Sequence, residues 1–115
     1  MTYEPPVTDP ATDLVRAVRT YENPPRLACT LQADNPPPRQ LKNIAGKQIL
    51  VVTAESSYHH VYDHCTADYL RQAGCQQLEH VYLEDVGIKG NGHMLFMEKN
   101  SRQIQEFIHS WIENV

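Results

Sequence analysis

Gln48-Ile49-Leu50-Val51-Val52-Thr53 is a nearly unbroken run of β-branched and apolar residues. It lacks the polar alternation of a strand with one wet face, and it predicts a strand covered on both faces, as in a parallel sheet. A parallel partner requires a crossover, and the residues that follow offer one. Val61, Cys65, Tyr69 and Ala73 recur every four positions with Leu70 beside them, and Gly74 stands where a helix C-terminal glycine belongs. Leu78 to Leu83 then predicts a second, shorter strand.

Downstream lies Val86-Gly87-Ile88-Lys89-Gly90-Asn91-Gly92-His93-Met94, which holds three of the five glycines. Glycine takes positive φ at little steric cost, so this stretch predicts a turn-rich loop carrying a histidine. Ile104, Phe107, Ile108, Trp111, Ile112 and Val115 follow the spacing of an amphipathic helix. Asn100 with Gln103 fits a capping box at its start. The order is β-α-β-loop-α, with parallel strands and a right-handed crossover.

Upstream the composition changes. All eight prolines lie in the first 38 residues, at 5, 6, 10, 24, 25, 36, 37 and 38. Each removes a backbone donor and biases its predecessor away from the helical region. Two parts are therefore expected: a Pro-rich extended segment over 1–45 and a βαβα unit over 46–115. Within the first, Leu14, Val15, Val18 and Tyr21 predict a short helix over Asp13–Glu22 behind a Thr12 cap. Arg26 to Leu31 predicts an edge strand.

A strand such as Ile49–Val52 needs neighbours on both edges and cover on both faces. The chain supplies one further convincing strand and two helices, and a two-stranded parallel sheet is hard to stabilise alone. The expectation is the end of a larger α/β domain, as a fragment or completed by a partner.

Composition bounds the rest. With 115 residues, 41% hydrophobic and 21% charged, the chain is at most one globular domain. A net charge of −4 argues against nucleic acid or an anionic membrane as partner. No apolar run approaches the roughly 18 residues of a membrane span. Met1 to Pro6 has neither basic residues nor an apolar core, unlike a signal peptide. Cys29, Cys65 and Cys75 form no CxxC pair, which suits free thiols in a reducing compartment. A cytoplasmic protein without cofactor is expected.

His93 is the sharpest candidate for chemistry. Functional groups in open α/β sheets gather at the carboxyl ends of strands, and His93 follows the second strand through the glycine loop. Glu55, Ser56 and Ser57 follow the first strand and share that edge, so a carboxylate there is placed to orient the imidazole. Asp63 is a further carboxylate, equally suited to the first turn of the helix.

Other patterns are weaker. His60 and His64 stand at helical i, i+4 spacing, with His59, Asp63 and Cys65 beside them. However, H-E-x-x-H is missing and Val61 to Cys65 belongs to the core face, so no metal site is assigned. The glycine spacing is GxxGxG and matches neither phosphate-binding motif. Met94, Leu95, Phe96 and Met97 suit a substrate pocket, but apolar residues opening a helix more often belong to a core.

Taken together the pattern resembles the C-terminal part of an α/β-hydrolase. Gln48 to Thr53 resembles that fold's penultimate strand, Leu78 to Leu83 its last, Gly92-His93 the loop of the catalytic histidine, and Asn100 to Val115 the closing helix. Ser57-Tyr58-His59, Tyr62-Asp63-His64-Cys65-Thr66, Leu70-Arg71-Gln72-Ala73-Gly74 and Gly90-Asn91-Gly92-His93-Met94 with Glu98-Lys99-Asn100 resemble an uncharacterised fungal and bacterial subgroup. The likeness extends upstream through Tyr3-Glu4-Pro5-Pro6-Val7 and Leu31-Gln32-Ala33. It implies a three-layer αβα fragment with His93 as general base of a serine-esterase-like triad. The family's acid falls at Ser57, counting from Ala54 in place of its glycine, so Glu55 is the first substitute and Asp63 the second. The nucleophile motif G-x-S-x-G does not occur; the serines are Ser56, Ser57, Ser101 and Ser110.

The expected function is therefore a hydrolase segment acting on a small-molecule ester or acyl substrate, incomplete without a complementing N-terminal half. Two other classes stand beside it. One is a non-catalytic module that completes its sheet by self-association or on a partner. The other is a His-rich metal binder.

Overall fold

The computed structural model describes residues 2–21 and 26–115. In chain order they form α1 (Pro10–Asp13), β1 (Arg16–Arg19), β2 (Cys29–Gln32), α2 (Lys42–Ala45), β3 (Ile49–Thr53), α3 (Asp63–Gln72), β4 (Leu78–Tyr82) and α4 (Ser101–Glu113). Single helical turns occupy Leu83–Val86 and Leu95–Met97. The fold is mixed α/β with two small sheets: β1 and β2 pair antiparallel, and β3 and β4 pair parallel.

The apolar run at Ile49–Thr53 is a strand, but it is not covered on both faces. Its first four residues are half-buried, and only Thr53 is closed off, at 1% exposure. A two-stranded sheet gives β3 one hydrogen-bonded neighbour, and this chain's helices cannot blanket both its faces.

The four-residue recurrence locates α3 well; within the helix the buried positions are His64 and Ala67, and of the expected face Ala73, at the C-cap, is fully buried. Cys65 and Tyr69 stay half-buried because their side chains reach the N-terminal segment instead. Past the helix, Gly74 takes φ 104°, and a Cβ there would run into the Gln40 side chain.

The helix expected over Asp13–Glu22 does not form; Glu22 and the Pro24-Pro25 pair lie outside the described residues. Helix α1 ends at Asp13, whose carboxylate turns back to accept the amides of Thr8 (2.9 Å) and Asp9 (3.1 Å). Arg16 to Arg19 then runs as a strand, paired from Arg16↔Gln32 to Arg19↔Cys29. Here cross-strand pairing overrides helical spacing, which is the weaker determinant over so few residues.

Two compact units divide the chain: Met1–Val51 with Val61–His80, and Val52–His60 with Val81–Val115. In the first, α3 is the spine to which the proline-rich segment is tied. Cys29 of β2 is disulfide-bonded to Cys65. Tyr3 and Tyr69 share a hydroxyl–hydroxyl hydrogen bond of 2.8 Å, and the Tyr21 hydroxyl donates to Asp68. Gln32 and Gln72 exchange two bonds: the Gln32 amide donates to Gln72 Oε1 (3.0 Å) and Gln72 Nε2 to the Gln32 carbonyl (2.6 Å). The second unit packs Ala54, Leu83, Ile88 and Ile104 together, with Val52, Leu95, Phe107 and Ile108 against them.

The expectation of three free thiols is thereby corrected. Cys75 alone is free; it is buried, and burial pushes its thiol pKa up. A bond spanning 36 residues leaves no local signature in a sequence.

Two predictions follow from the first unit. Replacing Cys29 with Ser should cost about 3–4 kcal/mol of stability, the loop-closure entropy of a loop this long, read by urea denaturation. Burial, with the bond to Tyr3, pushes the Tyr69 pKa up to about 12. The unfolded phenol titrates near pH ~10, so the folded state holds this proton more tightly. Its stabilisation should be complete below pH ~10 and vanish as pH climbs toward about 12, a loss that Tyr69→Phe removes from the alkaline melting curve.

Candidate functional site

The glycine loop belongs to the second unit and is fixed one residue at a time. Gly87, at φ 84°, ends the turn Leu83–Val86, and the next amide, of Ile88, donates to the Leu83 carbonyl at 2.9 Å. Ile88 itself is core, 4% exposed. Gly90 takes φ 82°, and its amide donates to Glu55 Oε1 at 3.0 Å. The Asn91 carbonyl accepts the Ser56 amide at 2.8 Å.

The Asn91 side chain, 2% exposed, faces Asn100 in a reciprocal amide pair. Asn91 Nδ2 donates to Asn100 Oδ1 (2.6 Å), and Asn100 Nδ2 donates to Asn91 Oδ1 (2.8 Å). Gly92 donates its amide to Glu98 Oε1 at 2.7 Å. Hydrogen bonds therefore fix the loop at several points, and the role of its glycines is to permit the turns.

His93 follows directly and is exposed. Its imidazole stacks on His59, with centroids 4.3 Å apart and planes 13° from parallel, and Tyr58 lies 5.0 Å away. These two neighbours come from the loop after β3 and were not legible as companions of His93. The same loop is pinned by His60, whose Nε2 lies 2.7 Å from Glu84 Oε2 while its ring packs 4.9 Å from Tyr82.

Glu55 reaches the glycine loop from the β3 side, as its position at that edge suggests, but its observed bond is to the Gly90 backbone. Ser57, where the resemblance would put an acid, is buried and accepts the His59 amide on its Oγ at 3.0 Å. Asp63 opens α3 in the first unit. There its charge opposes the burial that lowers the His80 pKa.

The capping box expected at α4 is absent: Asn100 makes no side-chain cap bond, because its amide is committed to Asn91. The His-rich run is dispersed as well. His59 stacks on His93, His60 pairs with Glu84, and His64 Nε2 lies 2.9 Å from the Leu27 carbonyl. The amides of Gly90 and Gly92 are occupied by carboxylates, which spends the donors a phosphate would require.

Of the apolar residues opening α4, Leu95 packs on the core, whereas Met94, Phe96 and Met97 are 45%, 76% and 72% exposed. They are not core. Beside them a groove of about 440 Å³ is lined chiefly by Leu95, Phe96, Ile104, Ile108 and Ile112.

No family model matches the chain, and no solved structure matches it. A curated relative does. Over 111 residues, 96% of this chain, it is 45% identical to the probable secreted lipase phiG of Fungal sp. (strain ATCC 74256). The chain spans 30% of that relative's length. A relative named as secreted, together with the Cys29–Cys65 disulfide, overturns the cytoplasmic expectation.

Replacing Asn91 with Ala strands the Asn100 amide and should cost about 1–3 kcal/mol. Hydrogen exchange should rise at Gly90 and Gly92 and stay unchanged in α3.

Proposed function

We propose that this chain is the C-terminal part of a lipase-like α/β-hydrolase that acts on esters, with His93 as its general base. The observation that carries the reading is 45% identity, across 96% of the chain, to a protein named a probable secreted lipase. Three structural features support it. Strands β3 and β4 run parallel, a hydrogen-bonded glycine loop bearing His93 follows β4, and α4 comes next.

In this reading His93 accepts the proton of a serine hydroxyl supplied by the complementing part, since G-x-S-x-G does not occur in these 115 residues. It then returns that proton to the alkoxide leaving group of the ester. Glu55 is the favoured acid, because its contact with Gly90 already brings a carboxylate to the His93 loop; Asp63 is the alternative. The His59 ring stacks on the His93 imidazole, a contact that favours one plane for the proposed base. The setting is an oxidising, extracellular one, in keeping with the disulfide.

Purified alone, the chain should show no His93-dependent turnover of a p-nitrophenyl ester. Exchanged for the matching segment of the relative, it should support hydrolysis, and His93→Ala in that chimera should lower kcat by about a thousandfold or more. Undiminished turnover in the His93→Ala chimera would sink the proposal.

A second reading has one observation in its favour. Phe96, Met97, Ile112 and Val115 are 76%, 72%, 56% and 59% exposed, an apolar surface of the sort that marks association. A non-catalytic, self-associating module would appear as a stable dimer in light scattering, inert in the chimera.

A further inference from the structure

Among the described residues, ring contacts hold the His93 imidazole: His59 stacks on it at 4.3 Å and Tyr58 lies at 5.0 Å. What holds those two rings is a further device, built entirely within the second unit. They stand on the turn that follows β3, and both ends of that turn are tied to the segment after β4. At its start the Ser56 amide donates to the Asn91 carbonyl at 2.8 Å. At its end His60 Nε2 lies 2.7 Å from Glu84 Oε2, and the His60 ring packs 4.9 Å from that of Tyr82. Between the two ties Ser57 closes the turn on itself: its Oγ accepts the His59 amide and its carbonyl the His60 amide, each at 3.0 Å.

The His60–Glu84 contact has a defined polarity. A carboxylate oxygen accepts, so Nε2 carries the proton, and the bond holds whether the imidazole is neutral or charged. The other carboxylate oxygen, Glu84 Oε1, is buried with no hydrogen-bond partner among the described residues. Such a half-satisfied carboxylate is an expensive choice for stability, since an apolar side chain in its place would leave nothing unpaired. Its use points instead to what the bond to His60 keeps in position. His60 is the residue after His59, and with its ring bonded to Glu84 and packed by Tyr82, the backbone that carries His59 has little freedom left.

We propose that Glu84 and His60 are positioning residues for the proposed base. Glu84 fixes His60, His60 fixes the Tyr58-His59 turn, and the His59 ring sets the plane of His93. The inference rests on the reading of His93 as general base and adds to it two residues that act through His59, not on the reacting atoms. An exposed histidine samples several rotamers, and proton transfer from a serine hydroxyl demands one of them. Holding that rotamer beforehand removes the ordering cost from the reaction step. Two carboxylates thereby divide the work: Glu55 bonds the glycine loop at the Gly90 amide, and Glu84 places the ring that lies on His93.

Two readouts test this. In the full chain the His93 ring protons report the stack by nuclear magnetic resonance, because one ring lying on another shifts them upfield. Glu84→Ala should move them toward the positions of a free histidine. Glu84→Gln, whose carbonyl oxygen still accepts from His60, should restore them. In the chimera with the rest of the relative, Glu84→Ala should lower kcat about tenfold or more with KM unchanged, and Glu84→Gln should recover most of that loss. His59→Ala should lower kcat as Glu84→Ala does. The double variant should lose no more than either alone, since both act through one ring.

Should Glu84→Ala fail to fold, Glu84→Leu fills the same space without the bond to His60 and must give the same shift and the same loss. Unmoved His93 ring protons, or losses from Glu84→Ala and His59→Ala that multiply, would overturn the proposal. A chimera that needs His93 but is indifferent to Glu84→Ala would overturn this inference alone. One indifferent to His93→Ala would overturn the hydrolase reading beneath it as well.

Discussion

A proline-rich segment with few apolar residues cannot order itself, because its burial is too small to offset the entropy of fixing its backbone. In this protein that ordering depends on α3. One covalent bond, Cys29–Cys65, and a set of side-chain bonds at Tyr69, Asp68 and Gln72 hold the segment along a single helix. Cross-linking lowers the entropy of the unfolded chain, while the hydrogen bonds set the register of the folded one. The β1–β2 ribbon is a dependent of this arrangement, since all four residues of β1 are exposed.

That dependence also explains which parts of the fold were legible in the sequence. Strands β3 and β4 and helices α3 and α4 announced themselves through local periodicity, which needs no knowledge of distant residues. Strand β1 did not, because Arg16–Arg19 becomes a strand only by meeting Cys29–Gln32. The disulfide was equally silent. On α3, Ala73 is buried as its spacing suggests, whereas Cys65 and Tyr69 are half-buried where they meet the N-terminal segment.

At the candidate site the loop and its histidine were legible, and so was the β3 edge that faces them. What surrounds His93 was not. His59 had stood as a metal-ligand candidate, and the fold turned it into a stacking partner. Asn100 had the credentials of a helix cap, and the fold spent them on Asn91. Each of these side chains has several favourable uses at the level of sequence, and the choice among them is made by whichever backbone arrives within reach. The likeness to a longer protein named a probable secreted lipase, of which this chain spans 30%, is likewise not readable from a two-stranded parallel sheet.

The Asn91–Asn100 pair has a consequence for chemical ageing. Asn91 precedes Gly92, and an asparagine before glycine is the sequence most prone to deamidate, since the bare glycine amide attacks the side-chain carbonyl with little hindrance. Here both reacting groups are engaged: the side chain by Asn100, the Gly92 amide by Glu98. The same contacts that hold the loop in shape therefore slow its covalent decay. Deamidation would replace the Asn91 donor with a carboxylate facing the Asn100 carbonyl oxygen, reversing an attraction into a repulsion. The shelf life of this loop is written in its hydrogen bonds.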